Sequence, residues 1–294
     1  MSVTKLADLQ EQVKTFWSDM MLEELKESSI VVNLFNRDYA GEIQKGGNTV
    51  KVTQIVRPKG STKTIGESGY DVYNTEKLST QQISITANKI FEAGFEFENI
   101  VDLQTQIGDQ DSKIRNALRE AIEIQINNFC YSLVSASSKL GGVSDFNASQ
   151  ISSLRKFAGQ KKWRKDGQWY LLTDCSYYTD MLNAQTLVSQ DYVGGETPVI
   201  GGQIVNKRFG YNIIEDNSDG LLSLIKKAGG AAAEDAAIAF HRDFVHLVLQ
   251  GEIDFKLSDL HAMKKRGYLL TAELIGGGAQ GHDHADLHKV VYNA

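Results

Sequence analysis

The residues best suited to chemistry lie near the end of the chain, in His282-Asp283-His284-Ala285-Asp286-Leu287-His288. In an extended backbone alternate side chains share a face, so His282, His284, Asp286 and His288 would line up together. Three imidazoles and a carboxylate form a donor set for zinc or another divalent ion. Ligands confined to one short strand rarely enclose a metal, however, and no Glu or Cys cluster elsewhere pairs with them. The favoured reading is a polar turn or subunit contact, with no metal and no other cofactor.

Other motifs weaken on inspection. Gly276-Gly277-Gly278-Ala279-Gln280-Gly281 satisfies G-x-G-x-x-G after a predicted strand. A dinucleotide fingerprint also needs a following helix within a βαβ unit of about 30 residues, and the sequence after it opens on His282-Asp283-His284, so a flexible hairpin turn is expected. His241 and His246 flank Asp243 but miss the four-residue helical spacing of paired ligands, and are read as structural. Asp174-Cys175-Ser176 reads as a helix start capped by Asp174, not as a nucleophile. Glu92, Glu96 and Glu98 alternate along one strand face, which is read as solvated. There is no phosphate loop and no G-x-S-x-G elbow. No catalytic constellation emerges, so the chain is read as a non-enzyme.

The elements that would position these residues come from a chain of 294 residues, 41% hydrophobic and 23% charged, enough for one or two ordinary domains. Net charge is −6, and the basic stretches Lys161-Lys162-Trp163-Arg164-Lys165 and Lys264-Lys265-Arg266 are short. Gripping nucleic acid takes a larger positive footprint, because released counterions drive binding. Two cysteines, one inside an apolar helical pattern at Phe129-Cys130-Tyr131, argue against a disulfide framework. Met1 to Lys5 lacks the apolar stretch of a signal peptide, and no apolar run reaches the ~18 residues of a membrane span. Folding in a reducing cytoplasm, without a membrane partner, is expected.

Periodicity predicts an amphipathic helix over 5–28, strands over 48–56, 82–87 and 91–98, and a long helix over 111–139 capped by Asp109, Asp111 or Ser112. Between the first two strands, residues 57–80 are polar and rich in Gly, Ser and Thr. Compact domains seldom carry structureless connections beyond about 12–15 residues, so this segment reads as a projecting hairpin that needs a partner surface, such as another copy of the chain. Helices over 149–163 (Asn147 as cap) and 176–184 follow, with strands at 169–173, 211–216, 243–250, 268–275 and 290–292. Residues 192–202 read as loop. Residues 231–237 fit either a helix or a loop before a strand.

Several stretches resemble the major capsid proteins of tailed bacteriophages. Phe35-Asn36-Arg37-Asp38-Tyr39-Ala40-Gly41-Glu42-Ile43 with Gly46-Gly47-Asn48-Thr49-Val50-Lys51-Val52 is similar to the lead into that family's extended loop. Ile83-Ser84-Ile85 and Phe95 to Ile100 resemble its return strands, and 111–139 its spine helix. Gln168 to Leu172 with Tyr177 to Leu182, Gly201 to Ile214, and Ala237 to Arg242 resemble later elements in the same order, over residues 1 to about 250. The segment 276–289 matches none of them.

The resemblance implies an α+β tailed-phage capsid fold with an N-terminal arm, an extended β-hairpin loop, a peripheral domain with a long spine helix, and an α/β axial domain. The implied divisions are 1–47, 48–87 with its tip at 57–80, 88–141, 142–240, and returning strands over 241–294. It implies self-assembly into hexamers and pentamers of an icosahedral head, with portal, scaffolding and decoration proteins and packaged DNA as partners. Arg57, Lys59, Lys63, Glu67, Tyr70 and Tyr73 are the expected intersubunit contacts on the loop. A bacterial nanocompartment shell keeps the same fold as an alternative; a metal-dependent enzyme or binding protein using His282, His284 and His288 is the alternative of another class.

Overall fold

A computed structural model describes residues 31–43, 47–98, 111–134, 139–188, 207–223, 235–260 and 267–293. The expected helix over 5–28, the cap candidate Asp109, the loop over 192–202 and Lys264-Lys265-Arg266 lie outside them.

The chain alternates helices and strands around two sheets. Helices α1 (Val31–Leu34) and α2 (Ala40–Ile43) lead into strands β1 (Thr49–Ile55) and β2 (Thr80–Glu98). Helix α3 (Asp111–Ser132), strand β3 (Lys139–Leu140), helix α4 (Ala148–Gln160), strand β4 (Trp169–Thr173) and helices α5 (Cys175–Asn183) and α6 (Gln185–Val188) follow. Strands β5 (Lys207–Arg208) and β6 (Tyr211–Glu215), helix α7 (Asp219–Ser223) and strand β7 (Asp235–His241) come next. A 3-10 turn at Arg242–Phe244 then leads to β8 (Val245–Asp259), β9 (Gly267–Gln280) and β10 (His288–Asn293).

One sheet has four strands in the order β1-β2-β9-β8, the other six in the order β3-β10-β7-β4-β6-β5. All pairs in the first are antiparallel. The second is mixed: β4 runs parallel to β6 and antiparallel to β7. Central strand β7 is buried from Ala236 through His241, so it reads as a continuous apolar run instead of an alternating one. Its residues serve two cores in turn. Ala236, Ile238 and Phe240 pack with the inner face of α3 and with Phe91, Leu270, Ala272 and Leu274 of the four-stranded sheet. Ala237 and Ala239 face Ile151, Leu154, Trp163, Tyr177 and Met181, supplied by α4, α5 and the connection between α4 and β4.

Helix α3 joins the two sheets. Leu118, Ile122, Ile126 and Cys130 recur at four-residue steps and are all buried. Tyr131, one place further, donates a hydrogen bond to buried Asp216 beyond β6. The helix is shorter than the spacing predicts: it ends at Ser132, not 139, and its 22 residues span about 33 Å. Leu133 and Val134 close it with turn hydrogen bonds to Cys130 and Tyr131, well before Gly141.

Two further expectations are corrected. Residues 82–87 and 91–98 are not two strands but parts of β2, 19 residues long, with an irregularity between Ala87 and Lys89 where the pairing to β9 shifts. Nor is the triple glycine a hairpin turn. Gly276, Gly277 and Gly278 lie inside β9, between β2 and β8. A methyl group on Gly277 would collide with the carbonyl of Thr86, and one on Gly278 would come 2.6 Å from Leu133 Cδ1. The glycines are there for close packing. For residues 231–237 the strand alternative holds from Asp235 onward.

Asn147 accepts a hydrogen bond from Ser149 N at 3.0 Å, and Asp174 accepts one from Tyr177 N at 3.2 Å, capping α4 and α5 as their positions predict. Among the described residues no helix is long and apolar enough to cross a membrane.

Candidate assembly interface and the histidine cleft

The segment between β1 and β2 forms an arm. β1 and β2 pair in register from Thr49–Thr86 to Ile55–Thr80, and Val56 N continues the ladder to Ser79 O at 3.0 Å. Val50, Val52 and Ile83 anchor its base against Ile85, Ala87 and Val248. Beyond Val56 the chain leaves the ladder but stays organised by its own polar groups. Lys59 N donates to Glu76 Oε2 at 3.1 Å and Asn74 Nδ2 to Ser61 Oγ at 3.1 Å. The Lys63 ammonium donates to the carbonyls of Gly69 (2.8 Å) and Val72, gathering the tip around turns at Glu67 and Tyr70.

This arm displays apolar side chains outward. Ile65 and Tyr73 are each 90% exposed, and Tyr70, Val72 and Leu78 are more than half exposed. Single exposed apolar residues are ordinary, but a run of them on one projection marks an interaction surface. The sequence-predicted contact residues Arg57, Lys59, Lys63, Glu67, Tyr70 and Tyr73 are all exposed on the arm, and Lys63 also bonds to the arm's own backbone.

The histidines near the chain end do not gather on one face. Residues 282–286 make successive turns, as the favoured reading has it, so the common face that an extended backbone would give does not form. His284 and His288 are buried, with ring centroids 4.5 Å apart, and both pack on Phe244. Their Nδ1 atoms hydrogen-bond to backbone carbonyls, His284 to Phe244 O at 2.7 Å and His288 to His284 O at 2.6 Å. Asp286 points elsewhere, into an ion pair with Lys161 at 2.7 Å. Among the described residues no three His, Cys, Asp or Glu side chains are arranged to hold a metal ion. Burial holds the pKa of His284 below the ordinary imidazole value, and the neighbouring His288 adds to this.

The segment instead walls a cleft of about 860 Å³ at the root of the arm, lined by Asn36, Asp38, Tyr39, Gln54, Arg57, Lys161 to Arg164, His241, Asp243, His246 and His282 among others. Its polar frame was not legible from local patterns. His241 Nε2 lies 3.1 Å from Asp166 Oδ2 while its Nδ1 accepts from Asp243 N at 3.2 Å. Asn36 Nδ2 donates to Asp243 Oδ1 at 2.8 Å across 207 residues of sequence. Buried His246 meets the Tyr39 ring edge-on, centroids 5.4 Å apart. Burial depresses its pKa, with His282 contributing and Asp243 opposing.

No protein-family model and no curated protein matches the chain. Solved structures do. A chain from Mycobacterium phage Che8 superposes with a TM-score of 0.73 at 19% identity, covering 96% of each chain. One from the capsid structure of the cyanophage P-SCSP1u gives 0.73 at 13% identity, over 100% of this chain and 95% of that one. One from the head structure of Helicobacter pylori bacteriophage KHP40 gives 0.69 at 9% identity, over 100% and 98%. With matches over nearly the full length of both chains, this chain has the α+β fold of the bacteriophage capsid structures it resembles.

Proposed function

We propose that the chain is the major capsid protein of a tailed bacteriophage. It assembles through hexamers and pentamers into an icosahedral head that encloses double-stranded DNA. The observation that carries this reading is the arm. Its exposed Ile65, Tyr70, Val72, Tyr73 and Leu78 have no body of their own copy behind them, and a two-stranded ribbon with so little core is stabilised by a partner surface. A second copy supplies that surface, with Arg57, Lys59, Lys63, Glu67, Tyr70 and Tyr73 as the contacting residues. The fold shared with phage capsid and head chains supports the same reading.

On this reading residues 48–87 are the extended loop, 88–141 the peripheral domain around α3, and 142–240 the axial domain. Segment 1–47 leads in, and 241–294 returns through both. Portal, scaffolding and decoration proteins are partners, and assembly takes place in the host cytoplasm. A net charge of −6 suits a wall that contains DNA without gripping it.

Sedimentation velocity and electron microscopy of the purified chain, over a range of concentrations with and without a scaffolding protein, test the proposal. Capsomers or closed shells are expected. A monomer under every condition would refute it.

A further inference from the structure

The six-stranded sheet and its helices carry opposite charges at their two ends. At one end, Arg155 to Lys165 holds six Lys and Arg residues and no Asp or Glu. Contacts gather this stretch around Trp169, the first residue of β4. The Arg155 guanidinium lies 4.3 Å over its ring, and its indole nitrogen donates to Arg164 O at 2.6 Å. Lys207 joins them, because its register partner Asn212 donates to the carbonyls of Gly167 and Trp169, each at 3.0 Å. Asp166, Asp243, Asp283 and Asp286 lie on the same side, and the Asp38–Arg242 pair cancels itself. Lys161 takes up Asp286, and His241 faces both Asp166 and Asp243. Four carboxylates against seven cations leave this end positive.

The other end, about 17 Å away along the five residues of β4, is acidic. β4 runs parallel to β6 and antiparallel to β7, so Asp174, Glu215, Asp216 and Asp235 come together beyond Thr173. Asp180 joins them by accepting from Phe146 N at 3.1 Å, and Phe146 stacks on Tyr177 of the Asp174 cap, which brings in Asp145. None of these six carboxylates has an ion pair among the described residues. Asp174 and Asp216 are buried, whereas Asp145, Asp180, Glu215 and Asp235 reach solvent. The dipole of α4, which starts after Asn147 at this end and finishes at Gln160 near the other, favours charges of these signs at its own termini. It does not account for Glu215, Asp235 or Lys207, which belong to strands.

We propose that these regions pack head to tail in the assembled shell, the basic end of one copy against the acidic end of the next. The inference rests on the capsid reading. A contact that joins two different surfaces of identical chains is heterologous, and it closes into a ring when its rotation allows. A ring is what a capsomer requires. Opposite charges steer the two ends together and repel the reversed approach. Lys162, Lys165 and Lys207 on one side, and Asp145, Glu215 and Asp235 on the other, are exposed or half-buried and have no ion pair within their own copy among the described residues. A DNA backbone would account for the basic end alone and leave the acidic end without a purpose.

Charge reversal at each end of the full-length chain tests this. Lys162→Glu with Arg164→Glu and Lys165→Glu turns the basic end acidic. Asp145→Lys with Glu215→Lys and Asp235→Lys inverts the exposed charge of the acidic end. Each variant alone should need a concentration at least about ten-fold higher than the parent to assemble, with an unchanged circular dichroism spectrum. Mixed in equal amounts, the two should assemble near the parent's threshold, because each then meets the opposite charge on its neighbour. A mixture no better than its separate components overturns the proposal, as do reversals that leave assembly unchanged. Where a reversal alters the spectrum, Lys162→Gln with Lys165→Gln, or Asp145→Asn with Glu215→Asn, replaces it, and an unmoved threshold in both is equally fatal. A basic-end variant that assembles normally but packages less DNA would make the partner a phosphate and sink the contact. A parent that stays monomeric sinks the capsid reading and this contact with it; a parent that assembles while the reversals change nothing sinks the contact alone.

Discussion

The imidazole of His284 stacks on Phe244, centroids 5.5 Å apart and planes 11° apart, while its Nδ1 lies 2.7 Å from the carbonyl oxygen of that same phenylalanine. One side chain thus ties the turn at 282–286 to the start of β8 by both a ring face and a hydrogen bond. His284→Ala removes both and leaves a buried carbonyl with one partner fewer. A loss of about 2–4 kcal/mol is expected, read from the urea midpoint at pH 7.5. A loss below about 0.5 kcal/mol would mean that the pair is ornamental.

His246 and His284 also set a pH dependence. Both are held below the ordinary imidazole value of 6.5, chiefly by burial. The unfolded chain then binds more protons than the folded one just below that value, so in that range stability rises with pH. Their contribution is complete above about pH 7 and fades as pH drops through 6.5 toward the depressed folded values. In His246→Gln with His284→Gln, the urea midpoint should change less between pH 7.5 and 5.5 than it does in the parent.

Asp174 works the other way. Burial, reinforced by Asp235, raises its carboxyl from 3.8 to about 6, against the backbone donors of the α5 cap. Here the folded chain binds the extra proton, so the group favours folding below about pH 4 and that benefit disappears as pH rises through 6. Asp174→Asn keeps an acceptor at the helix start without the charge. At pH 7.5 it should unfold at a higher urea concentration than the parent, and the advantage should vanish by pH 4. Equal midpoints at both pH values would show that the buried charge costs nothing.

Gly277 should be the least replaceable of its triplet. Its added methyl would meet the Thr86 backbone, which cannot rotate away, whereas at Gly276 and Gly278 the nearest atoms belong to Leu249 and Leu133 side chains. Gly277→Ala is expected to cost more than the ~1–3 kcal/mol of ordinary overpacking, and Gly278→Ala to stay within it. Thermal unfolding of the two variants under one buffer decides the order.

What the sequence made legible follows from how local each cause is. Asn147 and Asp174 were readable as caps because a cap acts over three residues. The arm was readable because polarity and glycine content broke the strand pattern on both sides of 57–80. The glycine triplet was misread because its reason lies in Thr86, 191 positions earlier. The histidine segment was readable as a turn, but the burial of His284 and His288 was not, because their partner Phe244 comes from the turn before β8. Helix α3 was overextended because apolar residues continue past Ser132, where Tyr131 and Asp216 already fix the end. The link between His241 and Asp166, and that between Asn36 and Asp243, left no local mark at all.

Strand β2 belongs to two structures at once. Its first residues pair with β1 in the arm, and its last pair with β9 beneath α3, with one irregularity at Ala87–Lys89 between them. Arm and body are therefore joined by an unbroken covalent rod and not by a flexible joint. A load applied at Thr80 travels down that rod into the sheet that carries Phe91, and so into the floor of the long helix. Whatever pulls on the arm pulls on the core, and the register shift at Ala87–Lys89 marks where the strand passes from one partner to the other.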